Sequence, residues 1–82
     1  MRITRYRFKV LKIIAESGGR ISKMELYRRV GNWTVASKYL KEFTLLGIVT
    51  EKRQRGKTII ELTETGKKFL EEVLRELEKL VV

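Results

Sequence analysis

Four basic residues surround Gly56 within six positions of this chain: Lys52, Arg53, Arg55 and Lys57. Cations placed so close together repel one another unless an anion lies nearby, so the cluster favours a polyanionic partner. An arginine at the tip of a hairpin can enter the minor groove of a duplex, where negative potential is concentrated. The alternative is a solubilising loop that protects an edge strand with charge.

A second set of polar residues, upstream of the cluster, could contact the major groove. The spacing predicts a helix over 33–46 with hydroxyls and lysines on one face and apolar groups on the other, as a recognition helix requires. Lysine can reach guanine acceptors, and hydroxyls can serve bases or phosphates. An ordinary amphipathic helix with a solvated face would look the same, but the short helix before it and the hairpin after it favour recognition. The predicted contacts are Trp33, Thr34, Ser37, Lys38 and Lys41.

Trp33 has two interpretations. An aromatic residue at a helix start can pack against the preceding turn, which we favour, or lie exposed against a sugar or a thymine methyl group. Phosphate contacts are also expected from three other cations, Arg2, Arg5 and Lys23. Lys23 lies near the start of a predicted helix, where a positive charge opposes the helix dipole, so a phosphate would suit it.

Most other chemistry is excluded by residue types that the sequence lacks. Its 82 residues include no cysteine, histidine or aspartate. Disulfides, thiolate metal sites and the usual nucleophile–base pairs therefore cannot be built. We expect a protein that is not an enzyme and has no metal and no cofactor, and no small-molecule effector is evident.

The net charge of +9 is unevenly spread along the chain. Residues 1–60 hold 15 Lys and Arg against 4 Glu, whereas residues 61–82 hold 4 against 6. This basic field favours nucleic acid first and an anionic membrane second. No apolar run approaches the roughly 18 residues of a membrane span, and the basic N-terminus lacks a signal-peptide cleavage site. We expect one cytoplasmic, nucleoid-associated domain over 1–82 without a membrane partner, and the abundant Lys, Glu and Arg are typical of thermophiles.

Local signals predict the elements that would position these groups. Helical spacing indicates a first helix over about 4–17, ended by Gly18-Gly19. Ile21 could then form a short strand that pairs with the later hairpin. The apolar face of this first helix is predicted at Tyr6, Val10, Ile13 and Ile14.

Ser22 and Glu25 fit a capping box, so a second helix should begin there and run to about Val30. Gly31 would provide the turn, and Asn32 would cap the third helix. The buried stripes are predicted at Met24, Tyr27 and Val30 in the second helix, and at Ala36, Tyr39, Leu40, Phe43 and Leu46 in the third.

Two runs rich in β-branched residues, 48–54 and 57–62, flank Arg55-Gly56 and predict a hairpin. Thr63 suits the N-cap of a final helix over 63–82, in which Gly66 is expected to be tolerated at some cost. The apolar stripe of that helix could dock on the first helix or pair with a second copy of the chain. We favour a homodimer, because the stripe is long for so small a body. The predicted interface is Leu70, Val73, Leu74, Leu77, Leu80 and Val81.

Three motifs resemble the MarR-like and ArsR-like regulators of the winged helix-turn-helix superfamily. They are Ser37-x-x-Leu40, the string LLGIV at 45–49 and the string LTETG at 62–66. The resemblance implies a mainly helical α+β fold, with a three-helix core, a two-stranded β wing and a C-terminal helix. It also implies DNA contacts at Thr34, Ser37, Lys38 and Lys41, and at Arg53, Arg55 and Lys57 in the wing.

The chain departs from both groups. MarR-like proteins are usually longer, with further helices for the dimer and an effector, and ArsR-like metal sensors carry Cys or His ligands. It therefore resembles a minimal winged helix of the kind common in archaea and their viruses. We predict a sequence-specific double-stranded DNA-binding regulator, more typically a repressor, with helix 33–46 in the major groove and the 52–57 wing on the minor groove or backbone. The alternatives are an architectural DNA- or RNA-binding protein and a protein-interaction module.

Overall fold

The computed structural model describes residues 5–81, with side chains as far as Glu76. Within that range the chain forms four helices and one three-stranded antiparallel sheet, which confirms the predicted fold class. In chain order the elements are α1 (Arg5–Glu16), β1 (Arg20–Ser22), α2 (Lys23–Val30), α3 (Trp33–Leu45), β2 (Val49–Gln54), β3 (Lys57–Leu62) and α4 (Glu64–Val81).

Side-chain caps determine where α2 and α3 begin. The Ser22 hydroxyl accepts a hydrogen bond from the Glu25 N–H at 3.2 Å, as predicted for the N-cap of α2. The Glu25 carboxylate binds Arg28 and Arg29, however, rather than returning to Ser22 to complete the capping box. Asn32 caps α3 by accepting from the Val35 N–H at 3.0 Å.

The sheet brings the short strand and the hairpin together in the order β1-β3-β2. Ile21 lies opposite Ile60, so the predicted pairing of Ile21 with the hairpin is confirmed. Arg55 and Gly56 join β2 to β3 with φ angles of 50° and 79°. A two-residue turn with both φ values positive is type I′, whose twist matches that of a hairpin. The wing is therefore a tight, regular ribbon.

The core lies between the three N-terminal helices and one face of the sheet. Among the described side chains, the large ones that are fully buried come from α1, α2, α3, β2 and β3: Val10, Leu11, Ile14, Leu26, Leu40, Phe43, Val49 and Ile60.

Three side chains predicted to be inward are exposed. Met24 is 63% exposed, because Leu26, Tyr27 and Val30 form the buried arc of α2 and Met24 lies roughly 110° from its centre at 100° per residue. Leu46 is 50% exposed, because α3 ends at Leu45, one residue earlier than predicted. Tyr6 is 47% exposed in the first turn of α1.

The start of α4 packs directly on the link between α3 and β2. The Thr63 hydroxyl accepts from the Gly66 N–H at 2.9 Å, as the predicted N-cap should, and its proton faces the Gly47 carbonyl. The Thr63 N–H donates to the Ile48 carbonyl at 3.0 Å. A Cβ on Gly66 would lie 2.0 Å from that carbonyl oxygen. Gly66 is therefore required by a close backbone approach, whereas the sequence indicated only a tolerated glycine.

The described part of the α4 stripe divides into two. Leu70 and Val73 are each 8% exposed and are buried within the chain itself, whereas Leu74 is 43% exposed. Leu74 borders a groove between α4 and α1 with Phe8 and Ala15. The remaining predicted interface side chains, those of Leu77, Leu80 and Val81, lie beyond the described side chains, and Arg2 lies outside the described residues.

Candidate nucleic-acid interface

The predicted recognition residues lie together on the outer face of α3. Thr34, Ser37, Lys38 and Lys41 are all at least partly exposed. With Tyr27 and Trp33 they line one shallow hollow. The opposite face of α3 holds Ala36, Leu40 and Phe43 in the core. The helix thus presents hydroxyls and ammonium groups outward from a fixed apolar base.

The cations of the wing divide into a paired and an unpaired set. Lys52 is held by Glu61 of β3 at 3.5 Å. Arg53, Arg55 and Lys57 form no ion pair with any residue that the structure describes. An unpaired cation keeps its charge available to a partner, so these three are the wing cations that the fold leaves free to meet an anion.

The register explains why neighbouring residues Lys52 and Arg53 differ. Residues that lie opposite one another in a sheet point to the same face. Glu51 is opposite the buried Ile60, so Arg53, two residues further on, also points to the helix side. Lys52 points to the other side, where Glu61 also binds Arg20 at 3.6 Å. On that outer face, Lys52 and Arg20 thus share the single carboxylate of Glu61.

The ring pair of Tyr27 and Trp33 joins the helix surface to the wing. Their centroids are 5.2 Å apart and the rings meet edge to face at 77°. Both line the α3 hollow, and both also line a groove that extends to Lys57 at the wing tip. The outer face of α3 and the wing tip are therefore parts of one continuous surface. Trp33 makes the predicted packing contact, yet it remains 62% exposed.

Lys23 lies at the edge of that groove and is already engaged within the chain. Its Nζ lies 3.9 Å from the Glu51 carboxylate and 5.8 Å from the centroid of the Tyr27 ring. A phosphate bound there would compete with Glu51. Arg5 is exposed at the start of α1 and lines neither the α3 hollow nor the wing groove.

Other cations of α1 serve the fold. The Lys9 ammonium donates to the carbonyl of Val30, the last residue of α2, at 3.2 Å. Lys12 lies 3.8 Å from Glu16 on the same helix. A cation at the C-terminal end of a helix and an ion pair four residues apart on one helix face both stabilise helices. Part of the positive charge of the sequence therefore stabilises the fold.

One positioning contact was not predicted from the sequence. Arg7 of α1 binds Glu42 of α3 through two hydrogen bonds, at 2.8 and 2.7 Å. The hydrogen bond from Arg7 lowers the pKa of the Glu42 carboxyl against the opposing effect of its desolvation. The same bond raises the pKa of Arg7. The Arg7 guanidinium also stands 5.5 Å from the centroid of the Tyr39 ring, and the Lys38 ammonium lies at the same distance from that ring.

Leu45 also lies on the outer face of α3, which was not predicted from the sequence. It is 86% exposed and is the last residue of the helix. The spacing could have revealed it, because Leu45 follows Lys41 by four positions and so lies above it on the same helix face.

Two absences concern only the residues that the structure describes. No helix among them is long and apolar enough to cross a membrane. Their acidic side chains do not gather in groups of three that could hold a metal ion.

Comparisons with known proteins identify the fold. No protein-family model and no curated protein matches the sequence. Among solved structures, F93 from STIV, a winged-helix DNA-binding protein, matches with a TM-score of 0.84 and 22% identity, over 98% of this chain and 96% of that chain. A MarR family protein from Bacillus stearothermophilus matches with a TM-score of 0.82 and 22% identity, over 99% of this chain and 58% of that chain.

The MarR match includes a complex. A mutant MarR from E. coli, solved with operator DNA, matches with a TM-score of 0.73 and 23% identity, over 85% of this chain and 52% of that chain. The chain thus spans little more than half the length of these MarR structures, but nearly all of F93. At these identities the likeness establishes the architecture: the chain has the winged-helix fold.

Proposed function

We propose that the chain is a sequence-specific regulator of transcription that binds double-stranded DNA. Helix α3 would lie in the major groove, where Thr34, Ser37, Lys38 and Lys41 contact base edges and phosphates. The wing would lie on the adjacent minor groove or backbone through Arg53, Arg55 and Lys57. Such a protein acts in the cytoplasm, where it meets its DNA.

The observation that carries this proposal is the continuous surface that joins the two cationic sites. The Tyr27–Trp33 pair links the α3 hollow to the groove that reaches Lys57 at the wing tip, so one duplex could contact both. A duplex presents its major groove next to a phosphate strand and a minor groove, which this arrangement matches. The solved neighbours described as DNA-binding share the fold that builds this surface.

We propose further that two copies bind together and repress. Leu74 is exposed beside the α1–α4 groove, and the apolar stripe of the sequence continues beyond it. A two-fold dimer would place two α3 helices about one DNA turn apart. Repression requires only that the operator be occupied, which a dimer of this size can achieve.

A binding titration tests the proposal. Purified protein is titrated against fragments of its own upstream region and against scrambled duplex of equal length, at two salt concentrations. A preference of about a thousandfold or more for one fragment is expected for a specific regulator. Equal, salt-sensitive binding to every duplex would show an architectural or coating role instead. Absence of binding at low salt would point to RNA or to a protein partner.

Paired variants separate the two contact regions. Lys38→Ala with Lys41→Ala should flatten the discrimination between sites. Arg53→Ala with Arg55→Ala should weaken all duplexes alike and reduce the slope of affinity against salt by about 0.9 for each phosphate that is no longer neutralised. Should both pairs weaken every site equally, α3 does not read sequence. In vitro transcription from the preferred fragment then tests whether occupancy represses.

A further inference from the structure

Trp33 is the one tryptophan of the sequence, and its orientation is restrained although its surface is open. The Tyr27 ring meets it edge to face at 5.2 Å, and 62% of Trp33 remains exposed. Aromatic pairs of this geometry are favourable beyond the area that they bury. The indole is therefore pre-positioned, and little ordering is needed when it contacts a partner.

The position of the indole indicates what that partner group is. Trp33 is the first residue of α3, and it lines the same hollow as Thr34, Ser37 and Lys38. N-terminal residues of a recognition helix are the ones that reach base edges. The apolar group that the major groove offers there is the C5 methyl of thymine.

We propose that Trp33 is a specificity-determining residue that contacts a thymine methyl group in the major groove. The inference rests on the proposed function, because it requires α3 to lie in that groove. The inference adds a base preference to the proposed function. The bound site should contain a thymine opposite the N-terminal turn of α3, and the methyl group of that thymine should contribute to affinity.

Two other exposed apolar residues are less suitable and serve as controls. Met24 is 63% exposed but lines the groove toward the wing tip and not the α3 hollow. Leu45 is 86% exposed but lies at the far end of α3. Trp33 combines exposure with a place beside the proposed base-reading residues. A sugar contact would also bury the indole, but it would not depend on the methyl group.

Uracil scanning tests the inference. The best duplex from a binding selection is resynthesised with each thymine replaced in turn by uracil, which removes the methyl group and leaves the base-pairing edge unchanged. The native chain should lose about fivefold in affinity at one or two positions per half-site, on the order expected for burial of one methyl group. Trp33→Ala should bind the thymine and uracil duplexes equally.

The controls make the outcome specific. Leu45→Ala and Met24→Ala should keep the loss at the same positions, and Trp33→Phe should keep part of it. Thermal unfolding verifies that each variant is folded. If no uracil position matters, or if Trp33→Ala still discriminates thymine from uracil, the inference is wrong. A chain that prefers one duplex yet ignores the methyl group overturns this inference alone, whereas a chain that prefers no duplex overturns the proposed function with it.

Discussion

Arg55 combines a strained backbone with a free positive charge. Its φ of 50° lies in the left-handed region, which costs a side-chain-bearing residue about 1 kcal/mol or more. Asparagine tolerates that region far better, and Asn-Gly is the preferred pair for a type I′ turn. Strain that persists at such a position is often retained for function. The residue that carries the charge at the wing tip therefore costs the hairpin some of its stability.

This conflict predicts opposite effects of one substitution. Arg55→Asn should raise the free energy of unfolding by about 0.5–1 kcal/mol, because the strain is relieved. The same change should weaken DNA binding and lower the salt slope by about one. Urea unfolding and titrations at several salt concentrations measure the two effects. Arg55→Lys, which keeps both the strain and the charge, should leave both quantities near their native values.

Two glycines differ in why they are needed. A Cβ on Gly66 would collide with the Ile48 carbonyl, so Gly66→Ala should lower the free energy of unfolding by roughly 3 kcal/mol or more. Gly18 has a φ of +80° and no atom within 4 Å of its added Cβ. Gly18→Ala should therefore cost only the backbone term, about 1 kcal/mol. Equal losses in chemical denaturation would contradict the close approach described at Gly66.

Between elements, the Arg7–Glu42 pair joins α1 to α3 at the edge of the core that the two helices share. Both side chains are partly buried, with 21% and 30% of their surface exposed. Two parallel hydrogen bonds restrain direction as well as distance. Tyr39 and Lys38 adjoin this pair, so the contact with α1 lies directly beside one of the lysines that α3 presents.

The lowered pKa of Glu42 gives this contact a defined pH dependence. The pKa of Glu42 is lower in the folded chain than in the unfolded chain, where it is about 4.3. The ionised carboxylate therefore stabilises the fold fully at any pH above about 4.3. This stabilisation is lost as the pH falls through the pKa of the folded chain. Glu42→Gln should therefore be less stable than the native chain at pH 7, and the difference should shrink below about pH 4.

Urea unfolding at both pH values measures this difference. Glu16→Gln is the matched control, because its exposed pair with Lys12 contributes at most about 0.5 kcal/mol. A difference for Glu42→Gln that is the same at both pH values would mean that its charge does not matter.

The elements themselves were predictable because their signals are local. Ser22 and Asn32 each cap the helix that begins at the next residue, through a hydrogen bond three residues along the chain. The turn of the hairpin is formed by the two adjacent residues Arg55 and Gly56. The Arg7–Glu42 pair joins residues 35 positions apart, which no local pattern reveals. Met24 was misplaced because α2 has only 8 residues, too few for the spacing to define which face is buried.

At the scale of the whole molecule, the proposed dimer depends on the open side of α4. Leu74→Glu places a charge at an apolar edge of the α1–α4 groove and should convert the dimer to monomer, with weaker binding to a two-fold site. Sedimentation over a range of protein concentrations measures the change. Leu45→Glu makes the same substitution on an exposed leucine of α3 and should leave the dimer intact. A native chain that is monomeric at every concentration would contradict the prediction.

The Ile48 carbonyl has a consequence for DNA with altered half-site spacing. Ile48 lies between the last turn of α3 and the first residue of β2. Its carbonyl oxygen accepts a hydrogen bond at 3.0 Å from the N–H of Thr63, the residue that precedes α4, and the start of α4 packs directly against it. A dimer held through α4 would therefore be anchored at the link between α3 and the wing. In such a dimer the distance between the two α3 helices would be fixed. The dimer should bind poorly to operators whose half-sites are one base pair closer together or further apart. Two domains joined by a flexible linker would tolerate that change in spacing.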